Sequence, residues 1–184
     1  MFLKILDYED IDKIMSTHDI ILPNSIRMGM PHKKEIEISY RDSNTGPKIE
    51  EYSKLRKVIE EYHPEYLNEY DQVLNEKEGY FFNMFICKKE LADDYFEWLF
   101  DILDRIKDEI DYSQYPEGQK RVLGYFSERL INVYIKKHNL KIKEKPLLFI
   151  DRKFPIIHTI GYKIPIVYIL FKEYVKCKNK FIKK

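Results

Sequence analysis

The feature that most constrains this fold is an eight-residue apolar run, Tyr80-Phe81-Phe82-Asn83-Met84-Phe85-Ile86-Cys87, followed directly by an amphipathic stripe. Such a run predicts a strand over Gly79–Lys88 that is covered on both faces. Leu91, Tyr95, Phe96, Trp98, Leu99, Ile102, Leu103 and Ile106 then recur at helical spacing, which predicts a long helix over about 89–110. A strand feeding an amphipathic helix points to the α/β class, a small mixed sheet flanked by amphipathic helices. Asn83 is the one strongly polar side chain in the run. A buried amide without partners costs roughly 1–3 kcal/mol. It therefore either pins a neighbouring loop or grips a ligand hydroxyl at the sheet edge.

The rest of the chain fits the same class. Asp7 is placed to cap a short helix reaching His18, with Ile11, Ile14 and Met15 on one face. Asp7 with Glu9 and Asp10 with Asp12 are acidic pairs one residue apart. Both fall at this helix start, where acids favour the dipole, and they read as caps rather than metal ligands. Asp19-Ile20-Ile21-Leu22-Pro23 reads as a buried strand closed by proline. Asn24 to Pro47 is rich in loop formers, with one short strand expected at Glu35–Tyr40, and loops this long in compact domains are often functional. Ile49, Tyr52, Leu55, Val58, Ile59 and Tyr62 predict a helix that stops near His63, because Pro64 disfavours helical backbone before it. Pro64 then suits the first turn of a second helix reaching about Leu74. Beyond the long helix, Asp111 to Gly118 reads as a loop, 119–138 as a third helix and 140–150 as an extended piece.

Length and charge narrow the function classes. A chain of 184 residues fits one domain with one core. The domain is read as residues 1–150, with 151–184 a separate apolar and basic tail. A net charge of +1 argues against a dedicated nucleic-acid binder. Cys87 and Cys177 are far apart and match no metal or redox spacing, which suits a reducing cytosol. No stretch near Met1 reads as a signal peptide, and no run approaches the roughly 18 apolar residues of a membrane span. Aromatic residues make up 15% of the chain, which suits ring-lined grooves for sugars or flat ligands and also suits an A/T-rich coding bias. In the tail, Ile156 to Phe171 is largely apolar and runs into Lys172, Lys176, Lys178, Lys180, Lys183 and Lys184. That pattern fits either an ordinary last helix with a basic end or a segment lying on an anionic leaflet.

On the third helix, Arg121, Tyr125, Glu128 and Asn132 share one face, and Val122, Phe126, Leu130 and Val133 another. The polar face offers a base, a phenol, a carboxylate and an amide in a row, although a solvated face has the same pattern. Gly124 costs about 1 kcal/mol relative to alanine in such a helix, so it reads as a point where a backbone or ligand approaches closely.

Three ordered blocks resemble a known family. They are Gly79 to Lys89, Tyr95 to Leu103, and Gln119 to Tyr134, with Asp19 to Pro23 fitting a segment upstream. Together they resemble the DUF4422 family of bacterial glycosyltransferases over about 19–146. The resemblance implies a GT-A-like enzyme of capsule or O-antigen polysaccharide synthesis. Such an enzyme takes a nucleotide-sugar donor and a glycan or lipid-linked acceptor, with Mn²⁺ or Mg²⁺ as cofactor. It implies a cytoplasmic protein, peripheral on the inner face of the plasma membrane.

The resemblance places Asn83 beside the transfer site and the Arg121–Asn132 helix on the acceptor side. An inverting transfer needs a carboxylate to take the acceptor proton and positive charge near the departing diphosphate. Glu128 is the candidate base. Arg121 or Arg129 would meet phosphate, and Asn83, Tyr125 and Asn132 complete the substrate-binding set. No metal ligands are assigned. The family's N-terminal half carries a His-Tyr-Arg-Arg segment near the diphosphate, and that tetrad does not occur here. The expectation is thus a transferase truncated at its donor-binding half. The alternative is a non-catalytic remnant or interaction module that binds a partner transferase or an acceptor glycan. A sheet edge left open by truncation predicts self-association.

Overall fold

The computed structural model describes residues 6–27, 46–117 and 120–147. The chain divides into two compact units, Met1–Glu144 and Lys145–Lys184. The second is described only at 145–147. The strand expected at Glu35–Tyr40 and the apolar and basic tail lie outside the described residues.

Local signals set the helices of the first unit. Helix α1, Tyr8–Met15, is opened by Asp7, whose carboxylate accepts the Asp10 N–H at 2.9 Å, while the Asp10 side chain reaches back to the Asp7 N–H. This reciprocal pair satisfies two otherwise orphaned donors, as the acids at this helix start predict. Helix α2, Ile49–Tyr62, stops at His63, whose backbone leaves the helical region before Pro64. Pro64–Tyr66 form a tight 3₁₀ turn that runs into α3, Leu67–Asn75. Helix α4, Lys89–Ile106, buries Tyr95, Trp98, Leu99, Ile102, Leu103 and Ile106 and then tightens into the 3₁₀ turn Lys107–Glu109. It thus ends short of the expected 110. Helix α5, Val122–His138, starts three residues after the expected 119, with Arg121 as its N-cap. It ends on Asn139 in the left-handed region at φ 48°, with three basic residues in its last turn that favour the dipole.

The strands are short. β1, Ile20–Pro23, is the buried centre of a three-stranded sheet, flanked by β4, Ile86–Cys87, and β5, Ile142–Lys145. β1 and β4 run antiparallel, with Ile20 opposite Cys87 and Ile21 opposite Ile86. A separate antiparallel pair joins β2, Ile26–Arg27, to β3, Glu78–Gly79, with Ile26 opposite Gly79. The fold is α/β, as expected. Its core lies between α2, α3, α4 and α5, where Leu55, Ile59, Tyr70, Ile102, Ile106, Phe126 and Leu130 are buried.

The continuous strand expected over Gly79–Lys88 is corrected. Only its ends pair, Glu78–Gly79 with β2 and Ile86–Cys87 with β1. Residues 80–85 cross from one sheet to the other without regular structure. The run is not covered on both faces either, because Met84 and Ile86 are exposed. Its apolar character has another cause. Phe81 plugs a small cluster with Ile26 and Tyr125, while Phe85 packs edge-on against Tyr95, with ring centroids 5.6 Å apart. Asn83 sits at φ 48°, a left-handed conformation that breaks an extended chain.

Candidate functional site

The site is built where the 80–85 crossing lies on α5. Asn132 holds its start. Its Oδ1 accepts the Tyr80 N–H at 2.8 Å, and its Nδ2 donates to the Tyr80 carbonyl at 2.8 Å. The same Nδ2 donates to the Glu128 carbonyl, also at 2.8 Å. Asn132, 8% exposed, thus binds both backbone polar groups of one residue, which belong to the two successive peptide units that flank Tyr80 Cα. Next along the chain, the Arg129 guanidinium lies 4.2 Å from the Phe81 ring centre, a cation–π contact in a fully buried position. At the far end the Asn83 Nδ2 donates to Ser127 Oγ at 2.8 Å and to the Gly124 carbonyl at 3.3 Å.

Gly79 makes this close approach possible. A Cβ there would lie 3.0 Å from Asn132 Oδ1 and 3.1 Å from Phe81 Cζ. Gly124 plays no such part: a Cβ there meets nothing within 4 Å among the described residues. No backbone therefore approaches Gly124 closely among the described residues, which corrects that half of the expectation, and the space beside it is open to a ligand. The crowded glycine is Gly79, which the sequence reading passed over as the opening of a strand.

The polar network continues from Tyr80 toward the β1–β2 turn. The Tyr80 hydroxyl donates to Glu144 Oε1 at 2.9 Å, and that oxygen also accepts the Ser25 N–H at 3.3 Å. Ser25 Oγ donates to Glu78 Oε1 at 2.5 Å. Burial, and then the neighbouring Glu144 carboxylate, push the Tyr80 phenol well above its ordinary value, so it stays protonated and donates. Ser25, Glu78, Tyr80, Asn132 and Asn139 line an open groove of about 410 Å³. A larger groove of about 560 Å³, lined by His18, Asp19, Lys88 and Lys141, touches none of the site residues expected from sequence.

The structure therefore brings Asn83, Tyr125, Arg129 and Asn132 to one segment. Asn83 is exposed and bonds to α5, so its amide pins the crossing to the helix rather than sitting buried in a sheet. Asn132 spends its amide on protein backbone. Tyr125 and Glu128 are half-buried on the same stretch of helix, and Arg121 stands exposed at its start. Sequence reasoning missed Tyr80, Ser25, Glu78 and Glu144. No local periodicity marks them, because they meet only through the pairing of β2 with β3 and the arrival of β5. Among the described residues no group of three His, Cys, Asp or Glu is placed to hold a metal ion, and no helix is long and apolar enough to cross a membrane.

The comparisons agree with this architecture. The chain belongs to the DUF4422 family, described as a domain of unknown function, whose model matches residues 1–139. Among solved structures the chain is similar to the WbbM bifunctional glycosyltransferase in its apo form, at 33% identity and a TM-score of 0.67. That match covers 74% of this chain and 24% of the WbbM chain, so the chain spans about a quarter of its structural relative. No curated protein matches. The chain is thus related in structure to a glycosyltransferase.

Proposed function

We propose that this chain is a GT-A-like glycosyltransferase unit that moves a sugar from a nucleotide-sugar donor to a growing surface polysaccharide or lipid-linked acceptor. Capsule and O-antigen chains are the substrate class this reading favours. The observation that carries it is the match to WbbM at 33% identity over 74% of the chain. In this reading the 80–85 crossing and the start of α5 face the acceptor. Glu128 takes the acceptor hydroxyl proton as that oxygen attacks the anomeric carbon. The bond from that carbon to the donor diphosphate breaks, and its electron pair leaves with the diphosphate. Of the two arginines considered for phosphate, Arg121 is exposed and Arg129 is fully buried, so Arg121 is assigned to the developing negative charge. Asn83 and Tyr125 border the acceptor path. Mn²⁺ or Mg²⁺ belongs to this reading as a family expectation, but the described residues offer no ligand group for it, and no step is routed through a metal. Peripheral contact of the tail lysines with an anionic leaflet and self-association through a sheet edge are further parts of the proposal.

The test is turnover by the full chain. A panel of nucleotide sugars with Mn²⁺ or Mg²⁺ should release nucleoside diphosphate. Glu128→Gln should lower that rate by about 10²–10⁴-fold, the usual worth of a general base. Calorimetry showing no nucleotide-sugar binding at millimolar concentration sinks the stand-alone enzyme. The second reading is a non-catalytic remnant or interaction module that binds a partner transferase or an acceptor glycan. Binding of acceptor oligosaccharide without donor binding would select it.

A further inference from the structure

We infer that Asn132 is a positioning residue, which acts on the site through the Tyr80 backbone and not by touching a substrate. The Tyr80 N–H and C=O are both bonded to its amide, and its second N–H goes to the Glu128 carbonyl. Both donors and the acceptor are thus committed to protein backbone, which leaves the amide little capacity for a ligand. The contact ties three things together. It fixes the height of the 80–85 crossing above α5. It ties that height to the peptide of Glu128, the candidate base. Through the Tyr80 hydroxyl, Glu144 and Ser25, it extends to the turn between β1 and β2. Gly79 completes the latch, because a side chain there would run into Asn132 Oδ1. Two other contacts, Arg129 with Phe81 and Asn83 with Ser127, hold the crossing further along. Asn132 bonds to the backbone of the crossing itself.

What is positioned rests on the transferase reading, whereas the latch stands on the hydrogen bonds alone. The experiment separates the two. Amide hydrogen exchange is measured on the full chain, wild type against Asn132→Ala and Asn132→Leu. The leucine keeps the side-chain shape but loses the acceptor for the Tyr80 N–H and both donors, so it serves if the alanine variant folds poorly. In Asn132→Ala the Tyr80 amide should exchange at least about tenfold faster, while buried amides of α4 keep their protection. With a nucleotide sugar, kcat should fall in both variants while the donor KM stays within about twofold, the pattern of an interaction felt in the transition state. Unchanged exchange at Tyr80 in both variants overturns the inference. So does a turnover loss that only tracks the unfolded fraction seen by circular dichroism. A wild-type chain that turns over no nucleotide sugar removes the transferase reading and leaves the latch to be decided by exchange alone.

Discussion

Two aromatic-rich regions of this molecule are built on opposite rules. In the first, rings arrive from separate elements. Tyr66 of the 3₁₀ turn, Trp98 of α4 and Tyr134 of α5 meet with centroids 4.6 to 6.3 Å apart, and Tyr95 joins them 5.1 Å from Tyr134. In the second, the rings come from one continuous stretch, residues 80–85, and scatter to different neighbours. Helical periodicity aims the Tyr95, Trp98 and Tyr134 side chains in advance, so the first region is held by packing and by one hydrogen-bonded pair, the Tyr66 hydroxyl and His138 Nε2 at 2.8 Å. Burial also pushes the Tyr66 phenol up to about 12. The crossing has no periodicity to aim its rings. It is held instead by polar contacts from α5 and leaves Met84 exposed.

This contrast predicts where the chain is brittle. Trp98→Ala should give the largest loss, about 3–5 kcal/mol, because it opens a cavity inside the helical cluster. Denaturant unfolding with an unchanged m-value measures it. A loss below 1 kcal/mol would mean that the rings pack loosely and that the helical region is no stiffer than the crossing. The two glycines sharpen the comparison from the other side and should have opposite signs. Gly79→Ala puts a methyl 3.0 Å from an oxygen that is itself fixed by the Tyr80 peptide, so it should destabilise by about 1–3 kcal/mol. Gly124→Ala adds a methyl in open space within a helix and should stabilise by up to about 1 kcal/mol. Thermal melts of the pair decide it, and two shifts of the same sign would break the account of the latch.

The same contrast explains what the sequence disclosed. Helices, the α1 cap, the stop at His63 and the buried β1 are written in local signals, namely period, caps and proline. They appear within a few residues of where they were expected. The 79–88 run misled because apolar composition reports burial and not conformation. A strand and a crossing that plugs several niches look alike until long-range partners are known. Asn83 stood out as a polar residue in an apolar run and Asn132 as one of four polar residues on a single helix face, and the two together pointed to the site. Their partners did not stand out, because the Tyr80 peptide is invisible as a side-chain pattern and Glu144 arrives from 64 residues away.

The edge of the helical cluster supplies the smallest effect. His63 lies edge-on to Tyr66 and Trp98, and its Nε2 is 2.8 Å from Asp101 Oδ2. Arg105 grips the same carboxylate with two bonds, at 2.8 and 2.9 Å, and lies over the Tyr62 ring. The Arg105 guanidinium first, and His63 after it, hold the Asp101 carboxyl below its ordinary value. A carboxyl depressed in the folded state adds stability above its unfolded pKa, about 3.9, and loses that contribution as pH falls through the folded value. The carboxylate is 39% exposed, so solvent and salt screen the gain. Melts of wild type and Asp101→Asn should therefore differ modestly at pH 7, and the gap should close below about pH 4. Added salt should narrow it at neutral pH. A gap that stays constant down to pH 2 would show that Asp101 ties α2 to α4 by shape rather than by charge, and would leave the edge of the cluster held, like most of its centre, by packing.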